Sequence, residues 1–206
     1  MAKTSPTNVF EAYRKQFEKD FTKLLVLRSH EMTNGGHMIL MFAGRSKPDP
    51  TSEDCCVIWE LLAKSLVDMV KEVYTILGIL MFLLLSIITT CDLPYIFYYI
   101  QGLVEESKVS SFNVPQYTPY EGEVRDVIQK EGSFSLHSVN GFALSWPTPG
   151  INTAKFIRAI SEPLIATHFG SSIMDVLFKK YQEHVVDHLA TKKGMNYNLI
   201  ISLIKK

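Results

Sequence analysis

The sequence predicts a mixed α/β domain that holds only part of a sheet. Two patterns carry this. Most of the chain shows apolar residues at helical spacing, and only a few short runs read as strands. The length of 206 residues suffices for one domain with a sizeable core. Strands this few against so many helices look like a fragment of a sheet.

The first helix covers 9–27, where Val9, Phe10, Tyr13, Phe17, Phe21, Leu24 and Leu25 recur at steps of three and four. Ser5-Pro6-Thr7 opens it and "TNGG" at 33–36 closes it. "HMILMFAG" at 37–44 is a continuous apolar run, which suits a strand buried on both faces. Thr51 and Asp54 form a capping box for a helix over 51–72. That helix buries Cys55, Ile58, Trp59, Leu62, Leu66, Met69 and Val70.

"GLVEESKVSSFNVPQYTPY" reads as a polar loop before a helix opened by Thr118-Pro119-Tyr120-Glu121, with Val124, Val127 and Ile128 inward. "SFSLHSV" at 133–139 alternates and reads as a half-buried strand; "FALSW" at 142–146 is a second candidate. A helix over 153–168 carries Phe156, Ile157, Ile160 and Leu164, with Pro163 kinking or dividing it. Another over 171–190 is closed by "KKG", and "YNLIISLIKK" ends the chain as a strand.

Composition excludes some functions. Lys+Arg and Asp+Glu balance at 21 each, which gives no support for a nucleic-acid partner. Three cysteines, Cys55, Cys56 and Cys91, imply no disulfide framework and favour a reducing compartment. The N-terminal stretch lacks the apolar run of a secretory signal. A cytoplasmic location follows as the expectation.

Catalytic constellations are absent from the text. No G-x-G-x-x-G turn or P-loop occurs. His184 and His188 in "HVVDH" lack the glutamate of a zinc-protease helix and read as a solvated helix edge. Cys55 and Cys56 read as packing residues. Trp59, Phe112, Tyr117, Phe134, Trp146 and Phe156 would line a pocket if they converged, but core is the commoner fate of such residues.

Several strings resemble the plant SABATH family of S-adenosylmethionine-dependent carboxyl methyltransferases. They are "AYRKQFEKDFTKLLVLRSHEM", "GGHMILMFAGR", "DPTSEDCCVIWELLAKSLVDMVKE", "SFNVPQYTPYEGEV", "KEGSFSL" and "AISEPLIATHFG". The resemblance implies the late strands of a class I methyltransferase Rossmann-like sheet, fifth to seventh, with an α-helical substrate cap. It implies that the chain starts just after the cofactor-binding half, so that S-adenosylmethionine has almost no site here. The chain alone is then inactive.

The same resemblance implies substrate-binding roles. Trp59, with Ile58 beside it, would pack on the substrate, and Ala43 would line the same cavity. Ile157, Ile160 and Asn196 match further pocket positions. A small Ala43 and a polar Asn196 depart from the salicylate-type pattern. A family magnesium site falls on Phe112 and Asn113, but Ser110 stands where its acid would be, so the charge for a hard cation is lost. The implied substrate is a small carboxylic acid, or a related metabolite, that attacks the sulfonium methyl in line. The protein then supplies alignment and exclusion of water.

The domain text runs over 1–72 and 102–206 and is interrupted by Val73–Gln101. Joining Glu72 to Gly102 restores a continuous family-like string. Val codons begin with GT, Glu can be GAG and Gln can be CAG, so both boundaries can read as splice sites. T-rich codons also yield the Phe, Leu, Ile and Tyr that fill the segment. A retained intron translated in frame is the expectation. Two alternatives remain: a membrane anchor through 73–91, and a non-catalytic interaction fragment that pairs with homologues, which are often homodimers.

Overall fold

A computed structural model describes residues 6–86 and 104–206, side chains at 54, 55, 76 and 79–86 excepted. The chain divides into two compact units. The first comprises Met1–Glu60, Pro115–Trp146 and Lys193–Lys206; the second comprises Leu61–Val114 and Pro147–Lys192.

The first unit is a three-stranded sheet with helices on one face. Helix α1 spans Thr7–Glu31 and strand β1 spans His37–Ala43. Gly35 makes the turn between them with a φ of 79°, a conformation glycine adopts without steric cost. Helix α2 starts at Glu53 and runs to Ser86, beyond the first unit. Thr51 donates from both its backbone N–H and its hydroxyl to Asp49 Oδ1 at 2.8 Å, while the Asp54 side chain of the expected capping box lies outside the described residues.

Helix α3, Glu106–Ser111, belongs to the second unit; in the first, residues 115–120 lead into helix α4, Glu121–Glu131. Glu123 Oε2 accepts from the Tyr120 N–H at 2.9 Å where α4 opens, and Gly132 ends the helix with a φ of 86°.

Strand β2 spans Phe134–Ser145 without a break, so the two runs expected at 133–139 and 142–146 are one strand. A register shift between Leu136 and Ser138 marks a bulge that returns the alternation to phase. Asn140-Gly141 looks like a turn signal, yet Gly141 serves packing. A Cβ there would lie 1.7 Å from the Tyr197 hydroxyl.

Strand β3, Met195–Lys205, lies between β1 and β2 and is antiparallel to both. Its Leu199, Ile201 and Leu203 form the centre of the core with Phe21 and Leu25 from α1 and Val124, Val127 and Ile128 from α4. Phe42 meets Phe21 edge-on at 5.2 Å. The other face of β1 carries His37, Ile39, Met41 and Ala43, all exposed. The expectation of a strand buried on both faces is therefore overturned, because both helices sit on one side.

The second unit is helical among its described residues. The continuation of α2 buries Leu62, Ser65, Leu66, Met69 and Val70. A short helix α3, Glu106–Ser111, lies where a loop was expected; Ser110 and Ser111 hydroxyls bond back to the Ser107 carbonyl. Helix α5 spans Gly150–Phe169 with Pro163 inside, and a 3₁₀ turn at Ser171–Ile173 leads to helix α6, Met174–Thr191. Gly150 lets α5 approach α6, since a Cβ would lie 3.2 Å from Leu189.

The inward face of α5 takes only part of its apolar run. Ala154, Ile157, Ser161 and Ile165 are buried, whereas Phe156, Ile160 and Leu164 are exposed. An apolar residue on both sides of the true stripe made the phase ambiguous. On α6, Leu177, Phe178, Tyr181 and Val185 are buried as the spacing predicts. "KKG" does not end α6 with a left-handed glycine: Lys192 is extended. Gly194 instead faces Trp146, whose ring would lie 2.3 Å from an added Cβ.

Among the described residues, no helix is long and apolar enough to cross a membrane. The last residues of the candidate anchor at 73–91, and most of the Val73–Gln101 interruption, lie outside the described residues.

Candidate functional site

In the first unit the polar centre forms at the turn after β1. Arg45 is buried there and donates from Nη2 to Glu123 Oε1 at 2.6 Å and to the Pro48 carbonyl at 3.0 Å. Its Nε reaches the Lys47 carbonyl at 3.1 Å, and its Nη1 the Thr118 carbonyl. Tyr117 donates to the same Glu123 oxygen at 2.8 Å, and the guanidinium lies 5.4 Å from the Tyr117 ring. Glu123 Oε2 accepts from the Tyr120 N–H at 2.9 Å, so one carboxylate ties the turn, the loop and the start of α4.

These contacts shape ionisation. Burial works against the Arg45 charge, but the hydrogen bonds to Glu123 and Tyr117 outweigh it and raise the guanidinium above its ordinary value. Burial pushes the Tyr117 phenol up to about 12, aided by Glu123 and opposed by Arg45. Sequence reasoning missed this cluster. The signal was the Arg45 of "FAGR" and the Glu123 of "TPYEGE", which only the fold brings together.

Next to it lies a groove of about 430 Å³ lined by Phe17, Phe21, Leu24, Met41, Ala43 and Tyr117, among others. Of the expected substrate residues, Ala43 lines this groove. Trp59 is buried and Ile58 half-buried in the same unit. Asn196 accepts a hydrogen bond from Trp146 Nε1 at 2.9 Å, so its carbonyl is engaged within the fold. Phe134 and Trp146 are core residues.

The second unit holds Ile157, buried, and Ile160, exposed. Phe112 packs on the His168 and Phe169 rings, each 5.1 Å away, and Asn113 is exposed. Among the described residues, no three His, Cys, Asp or Glu side chains cluster to hold a metal. His184 is not a solvated edge: it meets Asp68 Oδ2 at 2.8 Å and is mostly covered. Cys56 is buried as a packing residue, while Cys55 and Cys91 lie outside the described side chains.

The turn after β1 is filled by Arg45, and Gly44 is needed there because a Cβ would lie 2.8 Å from Leu199. That glycine serves sheet packing.

Comparison with known proteins gives one consistent result. A family model described as SAM dependent carboxyl methyltransferase matches residues 1–75 and 98–206. The chain is 38% identical over 211 residues to the S-adenosyl-L-methionine:benzoic acid/salicylic acid carboxyl methyltransferase 3 of Petunia hybrida, covering 100% of this chain and 51% of that protein. It is 39% identical to the salicylate/benzoate carboxyl methyltransferase of Arabidopsis thaliana, over 98% of this chain and 48% of that one. The solved structure of a loganic acid methyltransferase with SAH superposes with a TM-score of 0.69 at 26% identity, over 96% of this chain and 50% of that chain. The chain thus spans about half the length of the relatives it matches.

Proposed function

The chain belongs to the family of S-adenosylmethionine-dependent carboxyl methyltransferases, and from that premise we propose that it is the later part of a domain that methylates the carboxylate of a small plant metabolite. The observation that carries this reading is the family match over 1–75 and 98–206. It includes all three strands and helices α4, α5 and α6. The fold has the class that such a fragment requires: the late strands of a class I methyltransferase sheet with helices that would cap the substrate.

In this reading Ala43, Ile58, Trp59 and Asn196 are the substrate-contacting residues of the first unit, and Ile157 and Ile160 are those of the second. Ala43 has the best support, since it already borders a largely apolar groove. Asn196 acts by orienting Trp146, to which it is hydrogen-bonded. The donor set around Phe112 and Asn113 argues against magnesium, because an exposed amide and a serine replace the needed carboxylate.

The domain consists of 1–72 and 102–206, with 73–101 as an interruption from a retained intron. Support comes from the family match, which passes over 76–97. Sequencing the transcript across the Glu72 junction tests this. A mature message that always carries the segment would overturn it. The three cysteines without a disulfide framework support a cytoplasmic location.

The chain alone is expected to bind no S-adenosylmethionine in a calorimetric titration and to transfer no label to benzoate, salicylate or jasmonate. Micromolar cofactor binding would overturn the truncated reading. Fusion to the unmatched half of the Petunia relative is expected to restore methyl transfer to at least one small carboxylic acid. A folded fusion inert toward such acids would overturn the function.

A further inference from the structure

Strand β2 is an outer strand of the β1-β3-β2 sheet, and among the described residues no strand pairs with its far edge. Its backbone groups divide by register. The Trp146 N–H donates to the Gly194 carbonyl, and Phe142 and Asn140 stand opposite Asn198 and Ile200 of β3. Alternation along an antiparallel pair then aims the backbone groups of Asn140, Phe142 and Leu144 at β3. Those of Val139, Gly141, Ala143 and Ser145 point away from it.

This edge lacks most of the devices that keep strands apart. The strand "FSLHSVNGFALS" contains no proline and no Lys, Arg, Asp or Glu. Its 12 residues are about twice the common strand length. One device is present: the register shift between Leu136 and Ser138 disrupts the first part of the edge. The regular stretch is therefore 139–145, and Phe142 is its centre. Phe142 is half-buried and Leu144 is 53% exposed, on the sheet face opposite the one where Val139 joins the core.

We propose that the β2 edge over 139–145 pairs antiparallel with the same edge of a second copy of this chain, about a two-fold axis at Phe142. That register sets Val139 opposite Ser145 and Gly141 opposite Ala143. All four outward residues of each copy then meet outward residues of the other, in about eight hydrogen bonds. Neighbouring registers do worse. A centre at Gly141 sets Ser145 against His137 in the bulge, and a centre at Ala143 sets Val139 against Pro147, which has no N–H. With the axis at Phe142, the two Phe142 rings meet at a non-hydrogen-bonded site, where aromatic pairs are favourable. Leu144 comes to lie opposite Asn140. The lack of charge decides for a second copy, because residues near a two-fold meet their own kind and any charge there would meet its like. Two three-stranded sheets would join as one of six strands.

The full chain tests this by light scattering and amide exchange across a concentration series. The expected result is a dimer that dissociates on dilution. Exchange at Val139, Gly141, Ala143 and Ser145 should slow about 10-fold in the concentrated sample, while Asn140, Phe142 and Leu144, already bonded to β3, change little. Phe142→Lys brings two like charges to the axis and should leave a monomer. Ala143→Pro removes an outward donor and should do the same if Phe142→Lys does not fold. Across a non-hydrogen-bonded pair the Cα atoms lie about 4.5 Å apart, within disulfide reach. Phe142→Cys should therefore crosslink two chains on mild oxidation, well above the wild type with its three cysteines. Asn140→Cys, which faces Leu144 and not itself, should stay at the wild-type level. A monomer at every concentration would overturn the pairing. So would a dimer that survives both Phe142→Lys and Ala143→Pro, or equal crosslinking through Phe142→Cys and Asn140→Cys.

Discussion

Arg45 and Glu123 form an ion pair of 2.6 Å in which the arginine side chain is 2% exposed. The pair lies 78 residues apart in sequence and joins the end of β1 to the first turn of α4. Breaking one side of such a pair leaves a buried charge uncompensated. Arg45→Ala is expected to cost about 3–5 kcal/mol. Arg45→Lys keeps the charge but loses the fork that reaches several carbonyls at once, and should recover only part of the loss. Urea unfolding midpoints of the three proteins check this. Equal midpoints for wild type and Arg45→Ala would refute it.

Tyr117 hydrogen-bonds the same carboxylate and should make stability fall at high pH. Its phenol is pushed up from about 10 to about 12, mainly by burial. The unfolded chain gives up this proton near the ordinary value, while the folded chain holds it longer. The folded state therefore binds more protons through that window, and stability falls as pH rises. The contribution is fully present below the unfolded pKa and is lost as pH climbs through the folded one. Denaturation of wild type and Tyr117→Phe between those pH values measures it: the difference between the two should shrink as pH rises. A difference that is flat with pH would rule the coupling out.

How much of this was legible depended on the kind of residue. Val124, Val127 and Ile128 were assigned inward from spacing alone, and all three are buried. A short amphipathic helix states its face clearly. α5 did not, because Phe156, Ile157, Ile160, Leu164 and Ile165 cover more than one stripe. β1 misled in another way: a mostly apolar run suits full burial, yet four of its seven residues are exposed. The Arg45–Glu123–Tyr117 cluster was invisible because polar partners distant in sequence carry no periodic signal.

Gly194 and Trp146 give a sharper test of local packing. The Trp146 N–H donates to the Gly194 carbonyl at 2.9 Å, and the indole ring lies where a Cβ on residue 194 would go. The ring is buried and its Nε1 is tied to Asn196, so it cannot swing away freely. Gly194→Ala should cost about 1–3 kcal/mol through overpacking. It should also change the tryptophan fluorescence of the folded protein. An alanine variant with unchanged stability and emission would show that the ring yields at no cost.

Ile157 and Ile160 were assigned the same role in the substrate wall, yet their burial separates them. Ile157 is 2% exposed in the core of the helical unit, whereas Ile160 is 55% exposed. Ile157→Ala leaves a cavity and should cost about 2–5 kcal/mol. Ile160→Ala should change stability by no more than about 0.5 kcal/mol. In a fusion that restores methyl transfer, Ile160→Ala then reports on substrate choice without a stability penalty. The expected result is an altered ratio of kcat/KM between a small aromatic acid and a bulkier acid, with an unchanged unfolding midpoint. Ile157→Ala should lower the midpoint and reduce turnover of both acids together. An Ile160→Ala fusion with the wild-type ratio would remove that residue from the wall.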